Sequence, residues 1–397
     1  MLKKHSSLIL ALSLCCTLLA SPIICLAAHQ PDVRALPNAV AAGDTEQTST
    51  VAAGLTNPAR AAGKPIKVMT RNLYLGADLT PVLNSTSINP TEDNNLFVNA
   101  ALAFGRVQAT DFPARAKLLA REIDDADPEL IGLQEVALWR RGEFGVLDGP
   151  ATPATIVLYD FLQSLQSELS ALGLEYSVVV AQNEFDAEVP SAFFYDLRVT
   201  LRDVILAKAD IPPHKLVLTN VQAANFLTSF DLQTIAGPIT LTRGWVSVDV
   251  MLNNKRSFRF INTHLESFDP QLRFFQSFEL LLGPANTDLP VVLVGDLNSG
   301  PTEPPGPFVA YANLLANGFV DTWVLANPSD PGVTCCNAEN LLNPDPLSLP
   351  EGRIDHVLAR PTARVIRAKI VGIDQDEHTP SGLWPSDHAG VITTLAP

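Results

Sequence analysis

Five short segments carry acids, amides or histidines where an apolar run gives out: Thr70-Arg71-Asn72, Gln134-Glu135, Asn262-Thr263-His264, Gly295-Asp296-Leu297-Asn298 and Ser386-Asp387-His388. A sixth, Gly352-Arg353-Ile354-Asp355, opens such a run. Carboxylate and amide oxygens are hard donors, suited to magnesium, manganese or calcium. An imidazole beside an aspartate is an oriented proton carrier. A divalent ion, an imidazole and a base for water suffice to hydrolyse a phosphoester by in-line attack. Nucleophilic serine or cysteine chemistry has no such support. The chain holds no G-x-S-x-G, no G-x-x-x-x-G-K-[ST] loop and no H-E-x-x-H.

Each segment also has a plainer reading. Gly-Asp-Leu-Asn is rich in turn formers. Gln134-Glu135 can be a solvated strand end, His264 can cap a strand, and Asp355 can pair with Arg353 or Arg360. Asp296 and Asn298 could open a calcium loop, but the rest of that spacing is absent. The joint occurrence of the segments along most of the chain is what favours a site.

The elements that must position these residues read as mixed. Strands are expected at Ile66–Met69, Leu130–Leu133, Tyr176–Val180, Val204–Leu206, Trp245–Leu252, Phe258–Asn262, Val291–Val294, Ile354–Leu358 and Val391–Thr394. Helices are expected at Phe112–Ala126, behind an Asp111 cap and Pro113, at Tyr159–Leu172 and around Gln271–Leu282. Strands that follow one another as hairpin-like pairs favour a two-layered β core flanked by helices over an all-parallel sheet. A strand buried on both faces delivers its end residue to a rim, and several such ends together make a polar pocket on a rigid base.

The chain has 397 residues and a formal net charge of −15, with no broad basic stripe. That balance argues against tight, processive nucleic-acid binding. It leaves phosphate substrates open, because a bound cation reverses the local sign. Hydrophobic residues at 47% and charged ones at 17% supply a core and exclude wholesale disorder. Residues 1–28 read as a cleaved signal peptide: Lys3 and Lys4, an apolar run from Leu8 to Ala20, then Leu26-Ala27-Ala28. The run is short for a membrane span and meets Pro22. The expected destination is therefore secreted or periplasmic. Residues 29–63 read as a flexible leader, and 64–397 as the folded domain. Beyond the signal only the adjacent Cys335 and Cys336 remain, which excludes a disulfide framework.

As a set, Gly-Asp-Leu-Asn, Asn-Thr-His-Leu, Arg-Ile-Asp and the terminal Ser-Asp-His resemble the endonuclease/exonuclease/phosphatase superfamily, from about Lys64 to Ala396. The resemblance implies an α/β fold, a four-layer sandwich of two packed mixed β-sheets flanked by helices. It implies a hydrolase dependent on Mg2+, Mn2+ or Ca2+, with phosphodiesters favoured over monoesters. Carried over by position, Asn72, Glu135 and Asp387 match metal-binding residues. His264 matches a phosphate contact, and Asp296 and Asn298 match the pair that activates water and steadies the transition state. Asp355 matches the residue that orients the catalytic His388. His356 stands where the family often has an aromatic, so packing is its expected role.

Two departures stand out. Tyr74 occupies a position where nucleases of the family often carry an acid or amide. The stretch from Gly76 to Thr110 is extra, and reads either as a lid or wall of the substrate pocket or as a solvent loop. The substrate classes left open are nucleic acid, a phospholipid (as for sphingomyelinase or phospholipase C) and a small phosphodiester. The lipid class implies transient membrane-surface contact. Its candidate tips are Phe226-Leu227 and Phe274-Phe275, although core packing is the first expectation for both pairs. A monomer is expected. A non-catalytic binding protein on the same fold is disfavoured, because every carried-over residue is present.

Overall fold

The computed structural model describes residues 65–145, 153–349, 352–361 and 363–397. The expected signal, 1–28, and leader, 29–63, lie outside the described residues. First come β1 (Ile66–Asn72), α1 (Thr80–Leu83), α2 (Leu96–Ala109), α3 (Phe112–Ala126), β2 (Leu130–Gln134), β3 (Leu138–Gly142), β4 (Ile156–Asp160) and α4 (Phe161–Ala171). Then follow β5 (Tyr176–Pro190), β6 (Asp196–Lys208), β7 (Leu216–Asn225), β8 (Phe230–Thr234), β9 (Gly237–Leu241), β10 (Gly244–Leu252), β11 (Arg256–His264) and α5 (Pro270–Leu282). The last are β12 (Val291–Asp296), α6 (Ala310–Ala316), β13 (Val320–Asp321), α7 (Thr322–Ala326), β14 (Asp355–Arg360), β15 (Arg364–Val371) and β16 (Gly390–Ala396).

Local chemistry explains the element starts. Asp111 accepts a hydrogen bond from the Ala114 N–H, and Pro113 sits in the first turn of α3. Ala116, Leu119, Ala120 and Ile123 then fall on one buried face. Asp269 caps α5 through the N–H groups of Gln271 and Leu272. The helix expected from Tyr159 begins at Phe161 instead. Asp160 accepts from the Leu162 N–H, which makes it the cap, and the β-branched and aromatic run before it pairs as β4.

The strands form an eight-stranded sheet, ordered β15-β16-β1-β2-β6-β3-β4 with β5 on β6, and a six-stranded sheet, ordered β13-β14-β12-β11-β10-β7. Each contains one parallel pair, β1 with β2 and β11 with β12. The strands of a parallel pair end on the same edge.

Alternation along the strands decides what each face meets. Ile66, Val68, Leu130 and Ile205 of the first sheet pack against Val246, Phe260, Val292 and Val294 of the second. The opposite face of the first sheet, Met69 and Leu133 among others, packs on Phe104, Leu119 and Phe161 of the helices. The outer face of the second carries Ile261 and Leu293 against Leu280 and Leu314. The order is thus helices, sheet, sheet, helices, as the four-layer reading requires. Each fully buried Val, Leu, Ile or Phe contributes on the order of 1.5–3 kcal/mol.

One polar layer crosses this apolar interface. Gln134 Nε2 donates to Asn262 Oδ1 at 2.6 Å, and Asn262 Nδ2 donates to the Leu133 and Val204 carbonyls. Gly132 makes room for it. A Cβ there would stand 2.6 Å from Asn262 Oδ1 and 2.5 Å from Val294 Cγ2.

The extra stretch is no solvent loop. Asn95 caps α2 by accepting from the Val98 N–H. Leu96, Ala103, Phe104 and Val107 of α2 are buried in the helix-side core. Among the described residues no helix is long and apolar enough to cross a membrane.

Candidate active site

The polar residues gather because their strands keep register. His264, Asp296 and Asp355 stand side by side on β11, β12 and β14, and Asn72 stands beside Gln134 on β1 and β2. Asn72, His264, Asp296 and Asp355 share parity with the inward-facing apolar residues of their strands. They therefore point into the gap between the sheets, at the edge where both parallel pairs end.

Asp296 is the hub. Its Oδ2 accepts from Asn72 Nδ2 at 3.1 Å and lies 3.4 Å from His264 Nε2 and 3.8 Å from His388 Nδ1. Asn72 Nδ2 also reaches Glu135 Oε1 at 3.2 Å, while its Oδ1 accepts the Tyr74 N–H. Glu135 Oε2 accepts the Leu75 N–H. Asn298 donates to the Leu265 carbonyl, and its Nδ2 lies 3.1 Å from His264 Nε2. His388 Nδ1 lies 2.9 Å from Asp355 Oδ2. Glu135 and Asp387 line one cleft. All eight sequence-predicted residues are thus in or beside one site: Asn72, Glu135, His264, Asp296, Asn298, Asp355, Asp387 and His388. Tyr74, Glu135 and Asn298 hold positive φ, at 56°, 53° and 47°. Strained backbone of this kind persists only where the surroundings fix it.

The two histidines differ in charge. Burial works against charge on His388, but Asp355, Asp387 and Asp296 outweigh it and hold the imidazole well above its usual range. His388 is a cation at neutral pH. Burial, with Arg243 and His388 nearby, drives His264 well below that range, so it is neutral. Arg243 Nη1 is 3.0 Å from His264 Nδ1. A guanidinium only donates, so Nδ1 is an acceptor, while Nε2 lies between Asp296 Oδ2 and the Asn298 amide group. Burial and Asp355 push the Asp296 carboxyl up to about 7, against His388 and the Asn298 N–H. Burial raises Asp387 to about 6, against His388, with Glu135 adding to the rise.

Sequence reasoning missed several positioning groups. Arg115 is fully buried and donates to the carbonyls of Leu73, Tyr74, Thr110 and Pro385. It ties the loop after β1 to the loop before Asp387. Its only sequence signal is its place on the apolar face of α3. Arg71 is clamped by Glu122 and donates to the His388 carbonyl. The Ser386 hydroxyl donates to the Asn72 carbonyl. Arg243 stands just before β10, the same kind of strand-end position that marked the others. Two buried carboxyls beneath the site, Glu184 and Asp203, were also missed. Burial holds both well above the usual range, and Asp203 raises Glu184 further.

Other residues lie aside. His356 is buried on Tyr311, with Nε2 3.0 Å from the Ser299 carbonyl, and serves packing. Arg353 pairs with Asp321 and not with Asp355. Cys335 and Cys336 are joined as a vicinal disulfide, with Cys335 Sγ 3.7 Å from His388 Nε2.

The donor set suits a hard cation. Asp296 and Asp355 bring carboxylate oxygens within 4.8 Å of each other beside the His388 imidazole, and Glu135 and Asp387 add oxygens from the cleft. Asp355 Oδ1 is buried without a hydrogen-bond partner. Crowded carboxylates raise one another's proton affinity, and a divalent cation relieves that repulsion.

The same architecture recurs in solved structures. A Bacteroides thetaiotaomicron endonuclease/exonuclease/phosphatase family protein is 18% identical over 84% of this chain and 98% of its own, with a TM-score of 0.50. A Bacteroides vulgatus endonuclease/exonuclease/phosphatase is 15% identical over 84% of this chain and 99% of its own, also at 0.50. At such identity these likenesses speak for the fold. No curated protein matches the sequence. Residues 95–388 match the sequence model of the Endonuclease/Exonuclease/phosphatase family, most of the chain and all of the site except Asn72. The chain belongs to the endonuclease/exonuclease/phosphatase family, a hydrolase of phosphoester bonds.

Proposed function

We propose that this protein is an exported, divalent-metal-dependent phosphodiesterase. The observation that carries the reading is the position of Asp296. A cationic His388 and a neutral His264 flank one carboxylate whose affinity for a proton is raised to about 7. That carboxyl is poised to hold the attacking water and take its proton near neutral pH. His388, oriented by Asp355, offers positive charge to the phosphoryl oxygens as the pentacovalent state forms, and His264 offers a second contact. Asn298 steadies the same group. Asn72 fixes Asp296 relative to Glu135. Glu135 and Asp387, with Asn72 at their edge, would hold Mg2+, Mn2+ or Ca2+, which supplies Lewis-acid neutralisation of phosphate charge.

Charge supports a diester over a monoester. Beyond Glu135 and Asp387, which a bound cation would neutralise, Asp78 and Glu339 line the cleft, and among its described lining residues Arg243 is the sole cation. A singly charged diester suits that field better than a dianion, and better than a polyanionic strand. Export rests on residues 1–28, with their basic start, apolar run and small-residue end.

The test is a substrate panel of plasmid DNA, RNA, phosphatidylcholine, sphingomyelin and a chromogenic phosphodiester, with magnesium or chelator, beside His388→Ala. Turnover abolished by chelator and lowered roughly 10²–10⁴-fold in the mutant is expected. Turnover that ignores both would overturn the reading.

A further inference from the structure

The Cys335–Cys336 pair has no part in the chemistry described so far, yet it stands against the catalytic imidazole. Cys335 is buried, with Sγ 3.7 Å from His388 Nε2. Cys336 is half-buried and lines the cleft that Glu135 and Asp387 also line. The two sulfurs and a ring nitrogen of His388 all lie within 4.8 Å of one another. Two cysteines alone are too few donors for zinc, but the fold brings a third.

The spacing suits one tetrahedral ion. Zn–S bonds of ~2.3 Å and Zn–N bonds of ~2.0 Å put two ligand atoms of the same zinc roughly 3.5–3.8 Å apart. The Sγ–Nε2 separation falls in that range. His388 Nδ1 lies 2.9 Å from Asp355 Oδ2, which takes the Nδ1–H and leaves Nε2 for a metal. A carboxylate behind a ligating imidazole fixes its orientation and raises its basicity.

The backbone around the pair does not depend on the sulfur–sulfur bond. Cys336 exchanges hydrogen bonds with Leu349 in both directions. The Asn337 N–H donates to the Asp387 carbonyl, and the Ala389 N–H to the Thr334 carbonyl. Both flanks of the pair are thus stitched to the segment that carries His388. Opening the disulfide frees two thiols without releasing them from the imidazole.

We propose that the reduced pair, with His388 Nε2, is a zinc-binding site whose occupation switches the enzyme off. A dithiol opens the disulfide by exchange. The Cys335–Cys336 bond breaks, the dithiol is oxidised to its own disulfide, and its two protons pass to the cysteines. Zn2+ then displaces the proton of each thiol and the Nε2 proton of the imidazolium, and binds two thiolates and a neutral imidazole. The fourth position is left to water from the cleft. His388 loses the charge it offers a phosphate, and turnover stops. While the disulfide is closed neither sulfur is a thiolate, and the site does not exist. Zinc binding stands apart from the phosphodiesterase reading; the loss of turnover rests on it.

The test compares the purified chain, reduced with a phosphine that is then removed, with the untreated chain. Both are kept in excess magnesium to occupy the carboxylates. Co2+ is the probe, because a thiolate-to-cobalt charge-transfer band reports sulfur ligands and ignores carboxylates. The reduced protein is expected to give the band with one equivalent of Co2+ and to lose it to Zn2+. Zn2+ should inhibit it at concentrations that the oxidised protein tolerates, and a zinc chelator should restore turnover. Cys335→Ser and Cys336→Ser, in whichever folds, keep turnover and lose the zinc sensitivity. His388→Ala, read by binding alone, holds Co2+ at least about tenfold more weakly. No band in the reduced, folded protein overturns the site. So does a band unchanged in a folded cysteine variant or in His388→Ala, or equal inhibition of oxidised and reduced protein. A zinc-displaceable band in a protein that turns over no phosphodiester supports the site and counts against the phosphodiesterase reading instead.

Discussion

His388 Nδ1 lies 2.9 Å from one oxygen of Asp355, whose other oxygen is buried with no partner. The pair sets both the orientation and the charge of the imidazole. Asp355→Asn removes the charge that raises His388, so the cation is lost at lower pH. The alkaline limb of the kcat/KM profile should move to lower pH, and the rate at its optimum should fall roughly 10²–10⁴-fold. An alkaline limb in the same place would show that another group sets it.

Metal binding should be linked to protons. Asp387 and Asp296 are raised to about 6 and about 7, so below neutrality they carry protons that a cation must displace. Magnesium affinity should fall as pH drops from 8 to 5. Calorimetry in buffers of different ionisation enthalpy should show proton release at pH 6 and almost none at pH 8.5. An affinity independent of pH would remove Asp387 from the metal site and set Asp296 beyond the cation's reach.

The same shift makes Asp296 a burden on the metal-free fold. Its carboxyl titrates near 3.8 when unfolded and at about 7 when folded. Above pH 7 the folded state carries a buried charge it disfavours, and below pH 3.8 both states are neutral. Asp296→Asn should therefore raise the Tm of the metal-free protein at pH 8 by at least several degrees. The gain should shrink as pH falls towards 4. A loss of Tm at pH 8 would mean that the hydrogen bonds to this carboxylate outweigh its desolvation.

Arg115 should matter for stability and activity together. Four buried carbonyls lose their donor in Arg115→Met, a cost of at least about 3 kcal/mol. A cooperative melt at clearly lower temperature is expected, with kcat reduced in the protein that remains folded. Unaltered melting would show that water takes over the carbonyls.

Much of this site was legible because strand ends are local features. An apolar run followed by Asn72, Glu135, His264 or Asp296 reads directly, and alternation fixes the face. The two-sheet core was readable for the same reason. What escaped depends on partners far away in sequence. Arg115 and Arg243 are unremarkable until Pro385 and His264 arrive beside them. The extra stretch was obscured by its Asn, Thr and Pro content, although Asn95 before Leu96 is an ordinary helix start. Phe226-Leu227 and Phe274-Phe275 were expected in the core; Phe226 is buried there, yet Leu227 is 94% and Phe275 42% exposed. A turn and the outer side of α5 put them there, and dipeptide hydrophobicity cannot foresee either.

The Gln134–Asn262 hydrogen bond acts as a dowel between the sheets. Apolar contacts have no direction, so two greasy faces could slide past each other by an ångström at little cost. A 2.6 Å amide contact directly beneath the site forbids that slip. Glu135 hangs from one sheet, and His264 and Asp296 from the other. The spacing between the two halves of the candidate site is thus set one layer beneath it, by a pair of buried amides.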